Sequence, residues 1–148
     1  MEITRNKKAF FDYEILESQE AGIELRGHEV KSIRAKHVNL KGAYIVHYKG
    51  ELFVKGMHIS AYKTMINSGS MDVERERKVL LSKKKIIYYG SKLKEGGYTL
   101  LPLSVYLKGS LIKMQVGLAK GKKLHQKKQL LKERTLDREA KKMLHKKY

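Results

Sequence analysis

Cysteine is absent from this chain, which excludes a disulfide framework, a cysteine-ligated zinc site and a thiol nucleophile. Proline occurs once, at position 102. Acidic residues are scarce: 15 Asp+Glu stand against 33 Lys+Arg, a net charge of +18 that no acidic block offsets. No run of about 18 or more apolar residues and no signal-like apolar stretch is present, so neither a membrane span nor a secretory leader is expected. The six histidines, His28, His37, His47, His58, His125 and His145, lack a ligand spacing such as i, i+4, and no metal site is expected. No nucleotide-binding loop is present either, so GTP or ATP chemistry would have to come from a partner, and no cofactor is expected. A cysteine-free composition suits the cytoplasm.

What the chain does have is positive charge and enough length for one domain with a real core. An excess of 18 positive charges is more than a neutral-substrate enzyme needs. It fits a nucleic-acid partner, because neutralising phosphates releases counterions and supplies most of the affinity. An anionic membrane surface would explain the charge equally well, but not the lack of an apolar anchor.

The chain changes character at Val116-Gly117-Leu118-Ala119-Lys120-Gly121-Lys122-Lys123. Two glycines flank Lys120, so the backbone is expected to bend there and approach something closely, with three lysines in four residues facing a phosphate backbone. Upstream, residues 1–123 mix apolar and charged positions as a globular domain does. Downstream, residues 124–148 contain no Gly and no Pro, and carry Lys or Arg at almost every second or third position.

Within the first segment, Thr4 to Lys8 reads as a short basic lead-in, a frayed terminus or a contact surface in equal measure. Phe11 to Glu17 and Ile23 to Arg26 alternate apolar and charged residues and are expected to form a hairpin around a turn at Glu20-Ala21-Gly22. Gly27 breaks that pattern, and His28 to Ala35 has a short helical spacing through Val30 and Ile33. Ala43 to Tyr48 and Glu51 to Lys55 flank Lys49-Gly50 as a tight hairpin, which Met57 to Ser60 extends. Residues 61–72 read as a surface loop, with Asp72 as a helix cap. Val73 to Lys85 is expected to be an amphipathic helix, renewed at Ser82 and stopped by Glu95-Gly96-Gly97. Tyr98 to Leu107 and Leu111 to Leu118 are strands around the turn Lys108-Gly109-Ser110, with Pro102 marking an edge or a bulge.

About six short strands with small helical insertions predict a mainly β fold. An antiparallel barrel of the oligonucleotide-binding type is the economical solution, because closure removes sheet edges and leaves a face free for RNA. A β-sandwich is the alternative. Most of the aromatics (Tyr44, Tyr48, Phe53, Tyr62, Tyr88, Tyr89, Tyr98 and Tyr106) read as core or rim, with one or two left at the surface to stack on bases. Glu20 and Glu29 read as hydrogen-bond acceptors at a turn or helix start, or toward a ribose or base edge, rather than as catalytic carboxylates.

In the last segment, Leu136, Ala140, Met143 and Leu144 fall at i, i+4, i+7 and i+8, one apolar stripe among Arg138, Lys141, Lys142, Lys146 and Lys147. Such a helix is marginal alone, so the tail is expected to be disordered when free and helical against RNA. A helix docked on the barrel is the alternative.

The chain carries, in order, Asn6-Lys7-Lys8-Ala9 with Tyr13, Glu20-Ala21-Gly22-Ile23, Glu29-Val30-Lys31-Ser32-Ile33-Arg34, Asn39-Leu40 and Gly50-Glu51. The series continues through His58-Ile59-Ser60, Arg77-Lys78-Val79-Leu80-Leu81 and Gly117-Leu118-Ala119-Lys120-Gly121-Lys122-Lys123. In that order and spacing, almost from end to end, the residues give a resemblance to the SmpB family, the tmRNA-binding (SsrA-binding) proteins. It implies a barrel that holds the tRNA-like domain of tmRNA, and a tail that enters the decoding centre and mRNA channel of a stalled ribosome so that the nascent chain is tagged for degradation. By the same resemblance, elongation factor Tu and alanyl-tRNA synthetase are indirect partners through tmRNA, and the protein is a monomer.

Family positions that support RNA binding fall on Glu20, Gly22, Leu80 and Ser82, with Lys113, Lys120, Gly121, Lys122 and Lys123 as basic or backbone contacts. Ser82 stands where His or Asn is usual. The tail positions implied to contact the ribosome are His125, Lys127, Lys128, Leu136, Met143 and Leu144. Here the usual His-Asp-Lys-Arg is His125-Gln126-Lys127-Lys128, which loses the aspartate and any bidentate arginine contact. Beside this adaptor reading stand two others: a ribosomal protein or initiation-type factor with a basic arm, and an RNA-processing enzyme, for which no catalytic constellation is present.

Overall fold

The computed structural model describes residues 1–60 and 73–121. Its elements in chain order are β1 (Glu2–Arg5), α1 (Lys7–Asp12), β2 (Tyr13–Ile23), α2 (Gly27–Arg34), β3 (Val38–Asn39) and β4 (Tyr44–Tyr48), then β5 (Glu51–Lys55), β6 (His58–Ile59), β7 (Arg77–Leu80), α3 (Lys83–Glu95), β8 (Thr99–Lys108) and β9 (Leu111–Gly121). The sheet runs β1-β8-β4-β5-β7-β2-β9, and β8 also pairs with β9. Six strands therefore close on themselves as an antiparallel barrel, and β1 rides outside on β8. The mainly β, barrel-type expectation holds.

Side-chain alternation puts Ile45, Leu52, Val54, Val79, Val105, Met114, Val116 and Leu118 inside, where they share one core with Ile33 of α2 and Ile86 and Tyr89 of α3. The β4–β5 hairpin turns on Lys49 (φ 50°) and Gly50 (φ 75°), the paired positive φ that a two-residue turn needs to match strand twist. β6 does not extend β5. Gly56 (φ 74°) breaks the chain away, and β6 pairs instead with β3.

The expected hairpin at the N-terminal end is one continuous strand. β2 runs through Glu20-Ala21-Gly22 and pairs with β9 from Tyr13↔Gly121 to Gly22↔Lys113. A bulge between Ile15 and Glu17 switches its phase. Ala21 and Ile23 enter the main core, whereas Tyr13 and Ile15 join a second cluster with Ala9, Leu101, Leu103 and Ala119. That cluster lies under α1, which with β1 takes the place of the basic lead-in expected at Thr4 to Lys8 and of the first two residues of the strand expected from Phe11. Asn6 caps α1: its Oδ1 accepts from Ala9 N at 3.2 Å, and its Nδ2 donates to Pro102 O at 2.9 Å. Pro102 does mark a bulge, since the β8–β9 register shifts between Pro102 and Ser104.

A helix beginning at Val73 is overturned. Arg77 to Leu80 is a strand between β5 and β2, and the helix starts only after the Ser82 cap. Hydrophobic periodicity misled because Arg77 points inward. It is fully buried, and its Nε donates to Glu29 Oε2 at 2.5 Å while its Nη1 and Nη2 donate to the carbonyls of Met57 and Val73. Glu29 also accepts from Arg75 and from Arg26 N at 2.8 Å, the helix-start role expected for it. α3 stops at Gly96 and Gly97, both at φ 78°. Residues 61–72, including the expected loop and the Asp72 cap, lie outside the described residues.

The strand expected over Leu111 to Leu118 is present, but the bend and lysine loop expected to follow it are overturned as far as Gly121, because β9 stays extended to that residue. Gly117 serves packing rather than bending. A Cβ there would lie 2.6 Å from Leu103 Cδ1 and 2.9 Å from its Cγ. Gly117→Ala is therefore expected to lower stability by about 1–3 kcal/mol through overpacking. An earlier urea midpoint with an unchanged m-value checks this, and an unmoved midpoint would mean that Leu103 turns aside without cost.

Candidate nucleic-acid interface

Because Ala21, Ile23, Val79, Met114 and Val116 point into the core, their neighbours Glu20, Gly22, Leu80, Lys113 and Gln115 point outward. Strand register then places them side by side. Gly22 pairs with Leu80 on one flank and with Lys113 on the other, and Lys113 pairs in turn with Tyr106. The result is a lateral row Leu80–Gly22–Lys113–Tyr106 across β7, β2, β9 and β8, with neighbours about 4.8 Å apart.

Gly22 is the floor of this row. Its missing side chain lets Leu80 lie across β2, since a Cβ at 22 would come within 3.2 Å of Leu80 Cβ. Leu80 nevertheless stays 45% exposed, an apolar surface that no described residue of the chain covers. Leu80, Leu81, Ser82, Lys85, Lys113 and residues 19–22 line an open groove here. The Ser82 hydroxyl accepts from Lys85 N at 3.4 Å as the cap of α3 and keeps its O–H as a donor toward the groove. Leu80 reaches the groove from a strand, not from a helix.

Glu20 sits diagonally from this row with both carboxylate oxygens engaged. Tyr106 OH donates to Oε2 at 2.5 Å, and Lys108 Nζ donates to Oε1 at 3.1 Å. The Tyr106 hydrogen bond, seconded by Lys108, holds the Glu20 carboxyl below the usual carboxylate range. Desolvation, and then the same hydrogen bond, push the Tyr106 phenol up to about 12. At neutral pH the pair is thus a carboxylate and a neutral phenol. A carboxylate so stabilised is a poor general base. It remains an acceptor for hydroxyl or base N–H donors, while Lys113 and Lys85 supply charge for phosphates.

Tyr106, Lys108 and Lys85 were not singled out as site residues from the sequence. Counting back from the Gly109-Ser110 turn gives Tyr106↔Lys113, so the strand register was the signal that could have found Tyr106.

Lys120 and Gly121 lie elsewhere. They end β9, seven or eight residues beyond Lys113 and so about 23–26 Å along the strand. Lys120 Nζ lies 4.8 Å from the centre of the Tyr98 ring. The proposed RNA residues therefore form two groups rather than one. Lys122, Lys123, His125, Lys127, Lys128, Leu136, Met143 and Leu144 lie outside the described residues. Among the described residues, no cluster of His, Asp or Glu is suited to a metal ion, and no helix is long and apolar enough to cross a membrane.

Comparison with known proteins gives a consistent answer. The SmpB protein family profile matches residues 3–146. The chain is 50% identical over 139 residues to the SsrA-binding protein of Nitratiruptor sp., covering 93% of each chain. It is 50% identical over 137 residues to that of a Bacillus cereus strain, covering 93% of this chain and 88% of the relative. A solved structure described as "tmRNA-SmpB: a journey to the center of the bacterial ribosome" superposes with a TM-score of 0.68 at 39% identity, over 82% of this chain and 85% of its own.

Proposed function

This chain belongs to the SmpB protein family, and on that premise we propose that it is a non-enzymatic RNA-binding adaptor of ribosome rescue. Its barrel binds the tRNA-like domain of tmRNA, and the complex is delivered to stalled ribosomes in the cytoplasm. The basic tail then enters the decoding centre and mRNA channel, so that the nascent chain is tagged and the ribosome freed. The protein acts as a monomer and meets elongation factor Tu and alanyl-tRNA synthetase only through tmRNA.

The observation that carries this reading is the Leu80–Gly22–Lys113–Tyr106 row with Glu20 fixed beside it. It offers an exposed apolar side chain, an oriented acceptor and lysine charge on the outer face of a closed barrel. Stacking or apolar contact, hydrogen bonding and phosphate neutralisation are the three terms that RNA recognition requires. A groove built for catalysis would instead present a titratable group near neutrality with a free oxygen.

Titration of the purified protein against full-length tmRNA and an equal-sized unrelated structured RNA, across a range of salt, tests the reading. We expect tmRNA to bind about 1000-fold tighter at moderate salt. Equal binding to both would leave only a basic RNA-coating protein, as the ribosomal-protein alternative requires.

A further inference from the structure

Two groups of proposed RNA contacts, the Glu20 groove and Lys120, stand well apart on the barrel, and the surface between them is not neutral. α3 carries five lysines and one glutamate in the run Lys83–Glu95. Residues 85, 88 and 92 fall at i, i+3 and i+7 and so share one face, with Lys85 and Lys92 about 10.5 Å apart along the axis. Lys85 Nζ lies 6.0 Å from the Tyr88 ring centre, and Lys92 Nζ lies 5.8 Å from the same ring and 5.3 Å from that of Tyr98. Lys120 then stands over Tyr98 at 4.8 Å. Cations and rings alternate without a break from the groove, which Lys85 lines, to the end of β9, where the chain passes into its basic last segment.

Tyr88 is exposed, whereas its neighbour Tyr89 is buried in the core. Three acids adjoin the ladder: Glu14, opposite Lys120 in the β2–β9 register, Glu17, which accepts from the Tyr88 hydroxyl, and Glu95, 3.7 Å from Lys92. Against them stand Lys85, Lys92 and Lys120 of the ladder and Lys83, Lys84 and Lys94 on the same helix, so the face stays positive. A lysine resting on an exposed ring gains only a modest cation–π attraction, about 0.5–1 kcal/mol. A base can take its place on the ring face, and the displaced ammonium is then free to meet that nucleotide's phosphate. At the exposed Tyr88 this exchanges a weak internal contact for stacking plus an ion pair, and Tyr98, half-buried against the core, offers only the ring face under its lysines. Alternating rings and cations of this kind are the pattern of surfaces that track single-stranded nucleic acid.

We propose that Lys85, Tyr88, Lys92, Tyr98 and Lys120 form a second RNA-binding track, which takes an unpaired strand continuous with the RNA in the groove and leads it toward the tail. The inference rests on the reading that the partner is RNA, and needs no particular RNA.

Lys85→Gln/Lys92→Gln, Tyr88→Ala and Tyr88→Phe in the full chain test it, by titration with tmRNA and with the unrelated RNA across salt. The double lysine variant should flatten the slope of log K against log salt by about 1.5, since each lost phosphate contact removes about 0.7–0.9. Tyr88→Ala should weaken binding about tenfold or more through lost stacking, whereas Tyr88→Phe, which keeps the ring, should bind within about twofold of the wild type. Thermal melting of each variant excludes misfolding, and if Tyr88→Ala does not fold, the lysine pair decides. An unchanged slope on both RNAs overturns the track, and an unchanged slope with weakened ribosome association would assign this face to the ribosome instead. The wild type's preference for tmRNA is read separately, so loss of that preference would sink the adaptor reading without touching the track.

Discussion

Arg77→Ala is expected to cost about 3–5 kcal/mol of folding stability, because it strands a buried carboxylate. Glu29 is 2% exposed and Arg77 not at all, and the guanidinium also satisfies the carbonyls of Met57 and Val73. One side chain therefore ties α2, the segment before β6 and the start of β7 together. With typical domain stabilities of about 5–15 kcal/mol, the loss would be plain in urea unfolding, and a change below about 1 kcal/mol would show that Arg75 alone suffices.

The pair also sets a pH dependence. Burial pushes the Glu29 carboxyl up, but the Arg26 N–H and the Arg75 and Arg77 guanidiniums outweigh it, so the folded-state pKa lies below the ordinary 4.5. A depressed carboxylate contributes stability that is fully present above the ordinary value and is lost as pH falls through the folded one. Wild-type stability should therefore decline as pH falls below 4.5. Glu29→Gln, which cannot ionise, should be less stable at neutral pH and decline less steeply in acid. Parallel curves for the two proteins would remove Glu29 from the account.

This network also shows where sequence reading reaches its limit. The Lys49-Gly50 hairpin, α2, the Ser82 cap and the Gly96-Gly97 stop were legible because each rests on local chemistry: turn residues, caps and short-range periodicity. β7 was not, because an inward arginine in Arg77-Lys78-Val79-Leu80 breaks the apolar alternation that marks a strand, and its partner lies 48 positions away at Glu29. β2 was cut in two for a related reason. The bulge at Leu16 turns Tyr13 and Ile15 toward α1 and Ala21 and Ile23 toward the core, so no single phase describes the strand. Glu20-Ala21-Gly22 then passed for a turn, although its glycine makes room for Leu80.

The candidate site divides along the same line. Family resemblance supplied Glu20, Gly22, Leu80 and Lys113, but only strand register shows that three of them form one row. The partners that fix Glu20, Tyr106 and Lys108, come from a strand 86 and 88 positions away. Glu20 in isolation is an acceptor with no orientation. With both oxygens held it has one, and discrimination between RNAs depends on such fixed polar groups more than on charge.

Deleting residues 136–148 is expected to leave tmRNA affinity within about threefold at moderate salt while abolishing tagging on stalled ribosomes. The segment carries five Lys or Arg and two Asp or Glu, a net +3 of the chain's +18. Most of the charge that draws RNA therefore remains, as do the groove and the lysines of α3. What the deletion removes entirely is the apolar stripe of Leu136, Ala140, Met143 and Leu144. Phosphates gain nothing from such a stripe. Its value lies in a partner that buries it, and on the proposed function that partner is the ribosome. Replacing Leu136, Met143 and Leu144 with Ser separates the two ideas, since it keeps every charge and removes the stripe. The same loss of tagging is expected, with tmRNA affinity and its salt slope unchanged. If affinity fell in step with tagging in both variants, the tail would belong to the tmRNA interface, and the division between a binding body and a ribosome-facing arm would be wrong.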